Sequence, residues 1–375
     1  GSGKKADIKV RPKVEFQAVG QEARVMLDDG KIELKVVAHE SPSVLRVSVV
    51  YGGHLEANKG VNFPGVSLGV PTLTPEDKEN LRHGLAVGVD WLALSFVRSP
   101  KDREVIDEVL ASEKQQIPVM AKIEKPEAVA QLDEIIQEFD GVMIARGDLG
   151  VEMRLEEVPL IQKRIIQACN AAGKPVVTAT QLLDSMVAAP FPTRAEVNDV
   201  ANAIYDGTDA VMLSSETAIG AYPLKAVETL HAVAIATEAV TTDVRGRRKE
   251  DMSIRGVGGS ISHAACNIAR ELNFPVIVTM THTGSTARSV SRFRPKARIV
   301  ALSPFISTCR WLQCSWGVTP MLVGEYGSTD EMIARAEQLL LEKGFLKSGD
   351  YFVLTAGVPI GQPGTTNLLK VQRVG

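Results

Sequence analysis

Residues 121–150 read AKIEKPEAVAQLDEIIQEFDGVMIARGDLG, and this stretch indicates the fold class. Two short apolar runs, AKIE and GVMIA, are joined by a segment with a helical pattern. A strand, a helix and a second strand in this order are typical of a βαβ unit with parallel strands. Charged residues stand at the ends of both strands, where burial makes charge costly. Their position requires an explanation, and the residues concerned are Lys122, Glu124, Arg146 and Asp148.

The strand-and-helix pattern is repeated between residues 72 and 240. Continuous apolar strands that alternate with amphipathic helices predict a parallel sheet covered on both faces, here an α/β fold of the (β/α)8 TIM-barrel type. Each apolar run ends in polar residues at its C-terminal side, which is the active face of such a barrel. Five units are visible where a closed barrel needs eight, so we expect the first three barrel strands to be absent from this sequence. The five runs are VDWLALSF (89–96), IPVMAKIE (117–124), GVMIARGD (141–148), KPVVTATQ (174–181) and DAVMLSSE (209–216).

The flanking regions have different patterns. Short alternating runs separated by Asp-Gly and Gly-Gly turns predict a small antiparallel β domain at 13–70, and residues 1–12 read as a tag or linker. The βα region is assigned to 71–240. A charged linker at 241–251 begins the last region, 241–375, whose strands and helices predict an open, doubly wound α/β domain.

Composition narrows the class of protein. The chain of 375 residues is 45% hydrophobic and 23% charged, which is typical of a globular protein with a large core. A net charge of −3 does not favour nucleic acid as a partner, and no apolar run is long enough to suggest a membrane span. None of the four cysteines forms a CxxC pair, which favours reduced thiols and a cytoplasmic location.

The strand ends at 122–148 carry residues suited to a metal site. Lys122 and Glu124 are two apart on a strand, so their side chains should share one face. Asp148 ends the next strand, and two carboxylates with room for water suit Mg2+. Gly147 allows the backbone to approach a ligand closely. The alternative is a buried structural network of Lys, Glu and Asp, and the spacing leaves both interpretations open.

Other strand ends of this region also carry polar side chains. Ser95 and Arg98 follow WLALSFVR, and Thr178 and Thr180 lie in VVTATQ. Threonine in a strand is most often a β former, so a functional role depends on its position at the active face. The stretch at 192–196 is polar and turn-like, which suits a solvent loop or a subunit contact.

One loop of the last region has the composition of an anion site. Residues 281–287 follow a strand and open a helix, where hydroxyl groups and free N–H groups can bind a phosphate. A simple capped turn explains the same residues equally well. The candidate ligands are Thr281, His282, Thr283, Gly284, Ser285 and Thr286.

Several longer motifs resemble one family, the pyruvate kinases. The resemblance extends over nearly all of the chain, from VMLDDGKIEL to the C-terminus. The residues in its motifs are most similar to those of the bacterial and plastid branch. It implies a TIM-barrel domain, a small β lid domain, a C-terminal regulatory domain and a cytoplasmic or plastid homotetramer. The motifs are KIEKPEAV, MIARGDLGVEM, VVTATQLLDSM, PFPTRAEVNDVANAIYDGTDAVMLSSETAIGAYP and PGTTNLLKV.

The resemblance implies transfer of a phosphoryl group from phosphoenolpyruvate to ADP, which yields pyruvate and ATP. Glu124 and Asp148 match the family's carboxylates for Mg2+ or Mn2+. Lys122 matches the lysine that neutralises the phosphoryl group, and Ser95 matches the serine that supports this lysine. Thr180 matches the threonine linked to protonation of the enolate.

The resemblance also assigns binding roles. Backbone groups at Ala145, Arg146 and Gly147, together with Thr180, match the pocket for the substrate carboxylate. Lys59 matches a lid lysine that reaches the nucleotide phosphates. K+ is expected for the family, with its ligands outside this sequence. The tetramer interface position of the family corresponds to Arg194.

The loop at 281–287 aligns with the family's effector site, for which we expect a sugar monophosphate. Ser285 stands where animal enzymes that respond to fructose bisphosphate carry arginine, which argues against that effector. Two alternatives remain at this stage. The first is a non-catalytic regulatory or partial subunit of a pyruvate kinase assembly, and the second is a metal-dependent aldolase that handles pyruvate enolate.

Overall fold

The structure is a computed structural model that describes residues 7–11, 14–66, 68–248, 256–359 and 366–375, with only the backbone described over 241–248. Three sheets organise the chain, one antiparallel and two mainly parallel. The predicted tag at the first residues and part of the PGTTNLLKV motif lie outside the described residues.

The first sheet is antiparallel and has four strands. These are β1 (Arg24–Leu27), β2 (Ile32–Ser41), β3 (Val44–Tyr51) and β4 (Val61–Asn62). Their order is β3-β2-β1-β4, and the turn at 28–30 has positive φ throughout. One of the short alternating runs expected to form strands, KVEF at 13–16, is irregular over residues 14–16, so this prediction is wrong there. Phe16 packs on Phe63 instead, with ring centroids 5.4 Å apart, because burying its ring in the core needs no strand partner.

The second sheet, here called the central sheet, has five parallel strands in sequence order, as the βα pattern predicts. Its strands are β5 (Leu92–Leu94), β6 (Val119–Ile123), β7 (Gly141–Ala145), β8 (Val176–Ala179) and β9 (Ala210–Met212). The helices are α1 (Pro75–Val87), α2 (Asp102–Ser112), α3 (Pro126–Ala130), α4 (Leu132–Glu138), α5 (Arg146–Glu152), α6 (Val158–Ala172), α7 (Arg194–Asp206), α8 (Ser215–Ala218) and α9 (Pro223–Arg248). The described part of the sheet is open, with β5 and β9 as its edges.

A continuous apolar core holds these helices on the central sheet. Ile123 and Ile144 in the strands are fully buried and belong to one cluster with Leu132, Ile135 and Ile165 on the covering helices. Burial of a Leu or Ile side chain contributes roughly 1.5–3 kcal/mol, so this cluster fixes the strand ends in place. The carboxyl ends of β5 to β8 therefore present their polar residues on a rigid frame.

Three local predictions in this region are wrong. The run GVMIARGD is a strand only to Ala145, because Arg146–Glu152 is helical. The turn-like stretch at 192–196 contains the start of α7, where Thr193 and Glu196 form a reciprocal capping box. The charged linker predicted at 241–251 is helical over 241–248, where no proline interrupts α9, and its remainder lies outside the described residues.

The C-terminal sheet has the order β12-β11-β10-β13-β14. Its strands are β10 (Val276–Met280), β11 (Arg298–Ser303), β12 (Val318–Leu322), β13 (Tyr351–Gly357) and β14 (Thr366–Arg373). Its helices are α10 (Gly256–Glu271), α11 (Ser285–Ser291), α12 (Ile306–Trp311) and α13 (Thr329–Glu342). The strand β14 was not predicted, and it pairs antiparallel with β13 at the sheet edge. Among the helices that the structure describes, none is both long and apolar enough to cross a membrane.

Side chains join the C-terminal sheet to the amino end of the central sheet. Arg294 donates to Asp209 Oδ1 at 2.7 Å and to the Gly207 carbonyl at 2.7 Å. Trp91 Nε1 donates to the Trp311 carbonyl at 3.2 Å. The carboxyl end of the central sheet faces the antiparallel sheet.

Candidate active site

A lysine and a glutamate meet at the carboxyl end of β6. Lys122 Nζ lies 2.7 Å from Glu124 Oε1, as their spacing of two residues predicts. The same ammonium group donates a hydrogen bond to Ser95 Oγ at 2.8 Å. Glu124 is fully buried, whereas the Lys122 side chain retains some exposure. The cluster therefore has a fixed carboxylate and a cation that reaches toward the surface.

Both oxygens of the Glu124 carboxylate have a partner. Its Oε2 accepts a hydrogen bond from the Phe96 amide at 2.8 Å, and Phe96 has φ +56°. A bulky residue in this left-handed region is strained, and such strain is common at functional sites. Glu124 Oε1 is ion-paired with Lys122 Nζ at 2.7 Å. Because a lysine side chain is flexible, this oxygen can still serve as a metal ligand when Lys122 turns toward a substrate.

The second carboxylate lies in the helix that follows β7. Asp148 is the third residue of α5, one turn beyond the strand end where the sequence was expected to place it. Burial, and then the negative charge of Glu124, raise the pKa of Asp148 to about 6, while Lys122 and Lys125 oppose this shift. The two carboxylates thus repel each other in a partly dry site. A bound cation would relieve that repulsion.

These two carboxylates suit Mg2+ or Mn2+. Mg2+ prefers hard oxygen ligands, retains several waters and commonly takes one or two carboxylates from the protein. Within the ranges that the structure describes, no group of three or more His, Cys, Asp or Glu residues could hold a metal. A site with two protein carboxylates that is completed by water and substrate oxygens fits Glu124 and Asp148 well.

Strained backbone follows β8 next to the two carboxylates. Thr180 and Gln181 have φ +66° and +53°, although a β-branched residue rarely adopts this conformation. Thr180 Oγ1 accepts a hydrogen bond from the Gly147 amide at 2.9 Å and donates to the Ala179 carbonyl at 2.7 Å. The structure therefore brings together the ends of β7 and β8, as their parallel order requires.

The side chain of Arg146 donates hydrogen bonds to the strained segment at Thr180 and Gln181. Its guanidinium donates to the Thr180 carbonyl at 2.7 Å and to the Gln181 carbonyl at 3.2 Å. It also donates to Asp199 Oδ2 at 2.5 Å and to Gln162 Oε1 at 3.3 Å. Sequence reasoning assigned only the backbone here, because the partners are 16 to 53 residues away along the chain.

A cavity of about 350 Å3 lies between the antiparallel sheet and this cluster. Asp148 and Phe96 line it together with three residues that sequence reasoning missed, Asn62, Lys125 and Glu152. Glu152 Oε1 accepts hydrogen bonds from Lys125 at 2.6 Å and from Asn62 at 2.9 Å, which joins the two sheets. Lys125 directly follows Glu124 in the IEKPE motif, and this position next to a predicted site residue could have identified it from the sequence.

Comparison with known proteins gives the family. The family model described as "Pyruvate kinase, barrel domain" matches residues 1–227, and "Pyruvate kinase, alpha/beta domain" matches residues 259–372. The chain belongs to the pyruvate kinase family. This match favours the main interpretation of the sequence over the aldolase alternative.

Individual relatives agree with the family match. The chain is 48% identical to pyruvate kinase 2 of Synechocystis sp. over 353 residues, which cover 94% of this chain and 59% of the relative. It is 44% identical to the pyruvate kinase of Staphylococcus aureus strain MRSA252 over 358 residues, which cover 94% of this chain and 60% of the relative. The chain thus spans about 60% of the length of the curated relatives it matches.

Lys59 and Arg194, which the resemblance to pyruvate kinases assigns, lie apart from the Lys122 cluster, and Thr178 and Ala145 are buried strand residues. Lys59 Nζ lies 3.2 Å from Asp28 Oδ1 in the antiparallel sheet, and this pair lowers the pKa of Asp28 and raises that of Lys59. Arg194 is exposed at the first turn of α7. Thr178 is buried and donates to Thr208 Oγ1 at 3.0 Å, which is a packing role. Ala145 is buried at the end of β7, two residues before Gly147.

Arg98 also lies outside the cluster. Its guanidinium donates to the Val70 carbonyl at 2.8 Å, and its amide donates to Asp102 Oδ2 at 2.8 Å. These contacts join the segment after the antiparallel sheet to the start of α2. The side chain lines the 350 Å3 cavity on that side.

The loop assigned to the effector of pyruvate kinases is internally bonded. Thr281 Oγ1 accepts from the Gly284 amide at 2.9 Å, and Gly284 has φ +82°. The hydroxyls of Thr286 and Thr366 lie 2.7 Å apart, and the His282 carbonyl accepts from Thr308 at 2.6 Å. The remaining hydroxyls, on Thr283 and Ser285, lie 3.2 Å apart. The segment at 360–365, which precedes Thr366, lies outside the described residues.

Proposed function

We propose that the chain provides the catalytic centre of a pyruvate kinase, which transfers a phosphoryl group from phosphoenolpyruvate to ADP in glycolysis. The observation that carries this proposal is the cluster of Lys122, Ser95, Glu124 and Asp148 at the carboxyl ends of parallel strands. Phosphoryl transfer needs positioned positive charge more than covalent help from the protein, and the cluster is suited to supply it.

Lys122 has the main electrostatic role in this proposal. Its ammonium group is a compact charge on a flexible stem, and it is aimed by Ser95 and Glu124 at 2.8 and 2.7 Å. When the substrate is bound, this group stabilises the negative charge of the phosphoryl oxygens. Ser95 acts as its positioning residue.

Glu124 and Asp148 would hold Mg2+ or Mn2+, with phosphoenolpyruvate and water as the other ligands. Their support is the full burial of the Glu124 carboxylate and the pKa of Asp148, which the charge of Glu124 helps to raise. When bound, the metal supplies positive charge that neutralises the transferring group. K+ is proposed as a second ion on family membership alone.

The substrate carboxylate is assigned to backbone groups at Ala145, Arg146 and Gly147, with Thr180 beside them. The contact between Thr180 Oγ1 and the Gly147 amide at 2.9 Å supports this assignment. Thr180 also takes the role of the hydroxyl that passes a proton to the enolate through water. Lys59 is assigned to the nucleotide phosphates.

The remaining features are proposed because the chain belongs to the pyruvate kinase family. The loop at 281–286 would bind a sugar monophosphate, and Arg194 would lie at an interface of a cytoplasmic homotetramer. Three further strands between β9 and β5 would close the central sheet into a barrel. A second candidate function is a non-catalytic subunit that joins complete subunits.

The test measures pyruvate formation from phosphoenolpyruvate and ADP in Mg2+ and K+, with Mn2+ binding followed by electron paramagnetic resonance. We compare the chain with Asp148→Asn and with the matched control Asp133→Asn, whose carboxylate is exposed on α4. We expect Asp148→Asn to abolish both activity and Mn2+ binding, and the control to retain both. A folded chain that binds Mn2+ without activity would support the non-catalytic subunit, and a chain without Mn2+ binding would contradict the metal assignment.

A further inference from the structure

One buried carboxylate joins the antiparallel sheet to the central sheet. Glu152, the last residue of α5, accepts at Oε1 a hydrogen bond from Asn62 Nδ2 at 2.9 Å and another from Lys125 Nζ at 2.6 Å. Asn62 ends β4 of the antiparallel sheet, and Lys125 lies two residues beyond the end of β6. The Glu152 side chain is about 2% exposed. A single buried oxygen atom therefore connects three separate segments of the chain.

The two donors to Glu152 have different electrostatic roles. Lys125 supplies the positive charge that a buried carboxylate requires, because an uncompensated charge away from water is costly. Asn62 is neutral, but its hydrogen bond goes to a charged acceptor, and such bonds are roughly twice as strong as those between neutral groups. Lys125 thus compensates the charge of Glu152 within the central sheet, and Asn62 adds a strong bond from the antiparallel sheet.

The helix α5 carries this contact next to a proposed metal ligand. Asp148 and Glu152 are four residues apart, so they lie on one face of α5, and both line the 350 Å3 cavity. On the other side, Asp29 lines the same cavity from the turn between β1 and β2. A Cβ atom at Gly30 in this turn would lie 3.5 Å from Val151 Cγ2, so the turn approaches α5 closely. The antiparallel sheet is therefore seated directly beside Asp148.

Lys59 belongs to the same edge of the antiparallel sheet as Asn62. It precedes Asn62 by three residues, and its Nζ lies 3.2 Å from Asp28 Oδ1. The Asp28 amide donates to the Gly60 carbonyl at 3.1 Å, which joins the turn at 28–30 to the segment before β4. A contact that fixes Asn62 against α5 thus also fixes Lys59.

We propose that Glu152 is a positioning residue of the active site, which sets the place of the antiparallel sheet, and with it Lys59, relative to Asp148. The inference rests on the proposed function for the roles of Lys59 and Asp148. The antiparallel sheet has an apolar core of its own, which includes Leu34 and Phe63. Loss of the Asn62–Glu152 contact should therefore displace this sheet without unfolding it.

The test measures the distance between the two sheets by double electron–electron resonance in the metal-free full chain. Spin labels are attached at Val49→Cys on β3 and Glu134→Cys on α4, which are exposed positions. Cys314→Ser is included throughout, because Cys314 is partly exposed and the other three cysteines are buried. We expect a narrow distance distribution when Asn62 and Glu152 are unaltered.

Two variants of Asn62 should displace the sheet. Asn62→Asp places a second carboxylate against Glu152, so repulsion should broaden the distance distribution at least about twofold. Asn62→Leu removes the donor without adding charge, so it should broaden the distribution less. Circular dichroism establishes that each variant is folded.

The decisive variant reverses the pair. Asn62→Asp combined with Glu152→Gln exchanges the amide and the carboxylate, keeps the net charge and leaves a carboxylate for Lys125. This double variant should restore the narrow distribution. A general loss of packing would not be repaired by exchanging the two side chains, so recovery identifies a direct contact that sets position.

Two controls match the charge changes elsewhere in the antiparallel sheet. Asn58→Asp adds the same charge at an exposed position four residues before Asn62. Glu33→Gln removes a carboxylate that is bonded within the sheet, to Arg24 Nε at 2.7 Å. Both should leave the distance distribution unchanged.

Four results would overturn the proposal. They are a broad distribution in the chain with the contact intact, an unchanged distribution in both Asn62→Asp and Asn62→Leu, no recovery in the reversed pair, and equal broadening in Asn58→Asp. Each is a distance measured without metal or substrate. Failure here is therefore distinct from failure of the assays of pyruvate formation and Mn2+ binding, which test the proposed function.

Discussion

The two ends of the central sheet both contain buried carboxylates, but these differ in whether a cation or another carboxylate lies beside them. At the amino end, Asp209 accepts hydrogen bonds from Arg294, from the Trp316 amide and from the Val176 amide, at 2.7, 3.0 and 3.0 Å. At the carboxyl end, burial and the negative charge of Glu124 raise the pKa of Asp148 to about 6. Asp209 is therefore neutralised by a cation, whereas the charged form of Asp148 is disfavoured by a second carboxylate.

This difference separates stability from function within one sheet. Parallel-barrel enzymes use the carboxyl end of their strands for chemistry and the amino end for stability. Positive φ angles occur at both ends, at Thr180 and Phe96 and also at Arg294, so backbone strain does not distinguish them. The difference lies in the charges, because two carboxylates lie close together where a metal and an anionic substrate are proposed to bind.

The largest expected change in the free energy of unfolding comes from removing the Arg294–Asp209 ion pair at the amino end of the central sheet. Arg294→Met leaves Asp209 buried without its cation, so we expect the free energy of unfolding to fall by about 3–5 kcal/mol. Urea denaturation followed by circular dichroism measures this loss. Both side chains are about 5% exposed, which is why the cost is high.

The matched control is Arg310→Met, whose partner Asp90 lies 3.5 Å away across the same domain junction. Both of its side chains are exposed, and the expected change is within about 0.5 kcal/mol. The double variant Arg294→Met with Asp209→Asn should recover part of the loss. Equal losses for Arg294 and Arg310 would contradict a special role for the amino end.

The second largest effect is expected at Arg146, a structural side chain within the carboxyl end. Arg146→Met removes the hydrogen bonds to the Thr180 and Gln181 carbonyls and leaves Asp199 without its partner. We expect a loss of about 2–4 kcal/mol in the free energy of unfolding. Faster amide exchange at residues 178–183, measured by mass spectrometry, should accompany it.

Arg146→Lys is the conservative comparison. A lysine retains the charge near Asp199 but cannot span several carbonyl groups with a planar fork. It should therefore recover stability better than it recovers protection of the Thr180 segment. If both variants left the exchange of this segment unchanged, Arg146 would not be what holds its conformation.

Much of the fold can be predicted from the sequence because burial requires apolar residues at regular spacings along each strand and helix. The five apolar runs and their helices predict the order of β5 to β9, since consecutive βα units place parallel strands side by side. The edge strand β14 was missed, because LLKVQR mixes charge with apolar residues as an edge strand requires. The strand predicted at 13–16 failed because a short alternating run does not supply its own pairing partner.

The site was predictable only where the chain keeps its parts close together. Lys122 and Glu124 share a face by strand geometry alone, and Ser95 directly follows the preceding strand β5. The roles of Asn62 and Glu152 depend on a contact across 90 residues, which no local pattern encodes. Sequence reasoning therefore finds residues at strand ends and misses those that tertiary packing brings to them.

A smaller effect, of opposite sign, is expected at Asp148. Its pKa is about 6 in the folded chain and near 3.8 when exposed, so the folded state binds more protons between these values. Stability should fall as pH rises through this window and remain lower above it. Asp148→Asn cannot ionise, so without metal it should raise the free energy of unfolding at pH 8 by about 1–2 kcal/mol, allowing for partial exposure.

Thermal or urea unfolding of both proteins from pH 4 to pH 8 measures this difference. The two curves should separate most steeply between pH 4 and pH 6. Adding Mn2+ at pH 8 should stabilise the unaltered chain and not the variant. A variant that is less stable than the unaltered chain at pH 8 without metal would mean that Asp148 has a structural partner after all.

The smallest effect is expected at Ser95, and it tests how complete the carboxyl end is. Ser95→Ala removes one acceptor from Lys122, whose ammonium group keeps Glu124 at 2.7 Å and remains partly hydrated. The loss should be about 0.5–1.5 kcal/mol in the free energy of unfolding. Ser112→Ala, which removes a hydroxyl from the exposed end of α2, is the control and should cost less. If Ser95→Ala cost as much as Arg294→Met, the Lys122 cluster would be a closed structural network like that of Asp209, and the contrast between the two ends of the sheet would be lost.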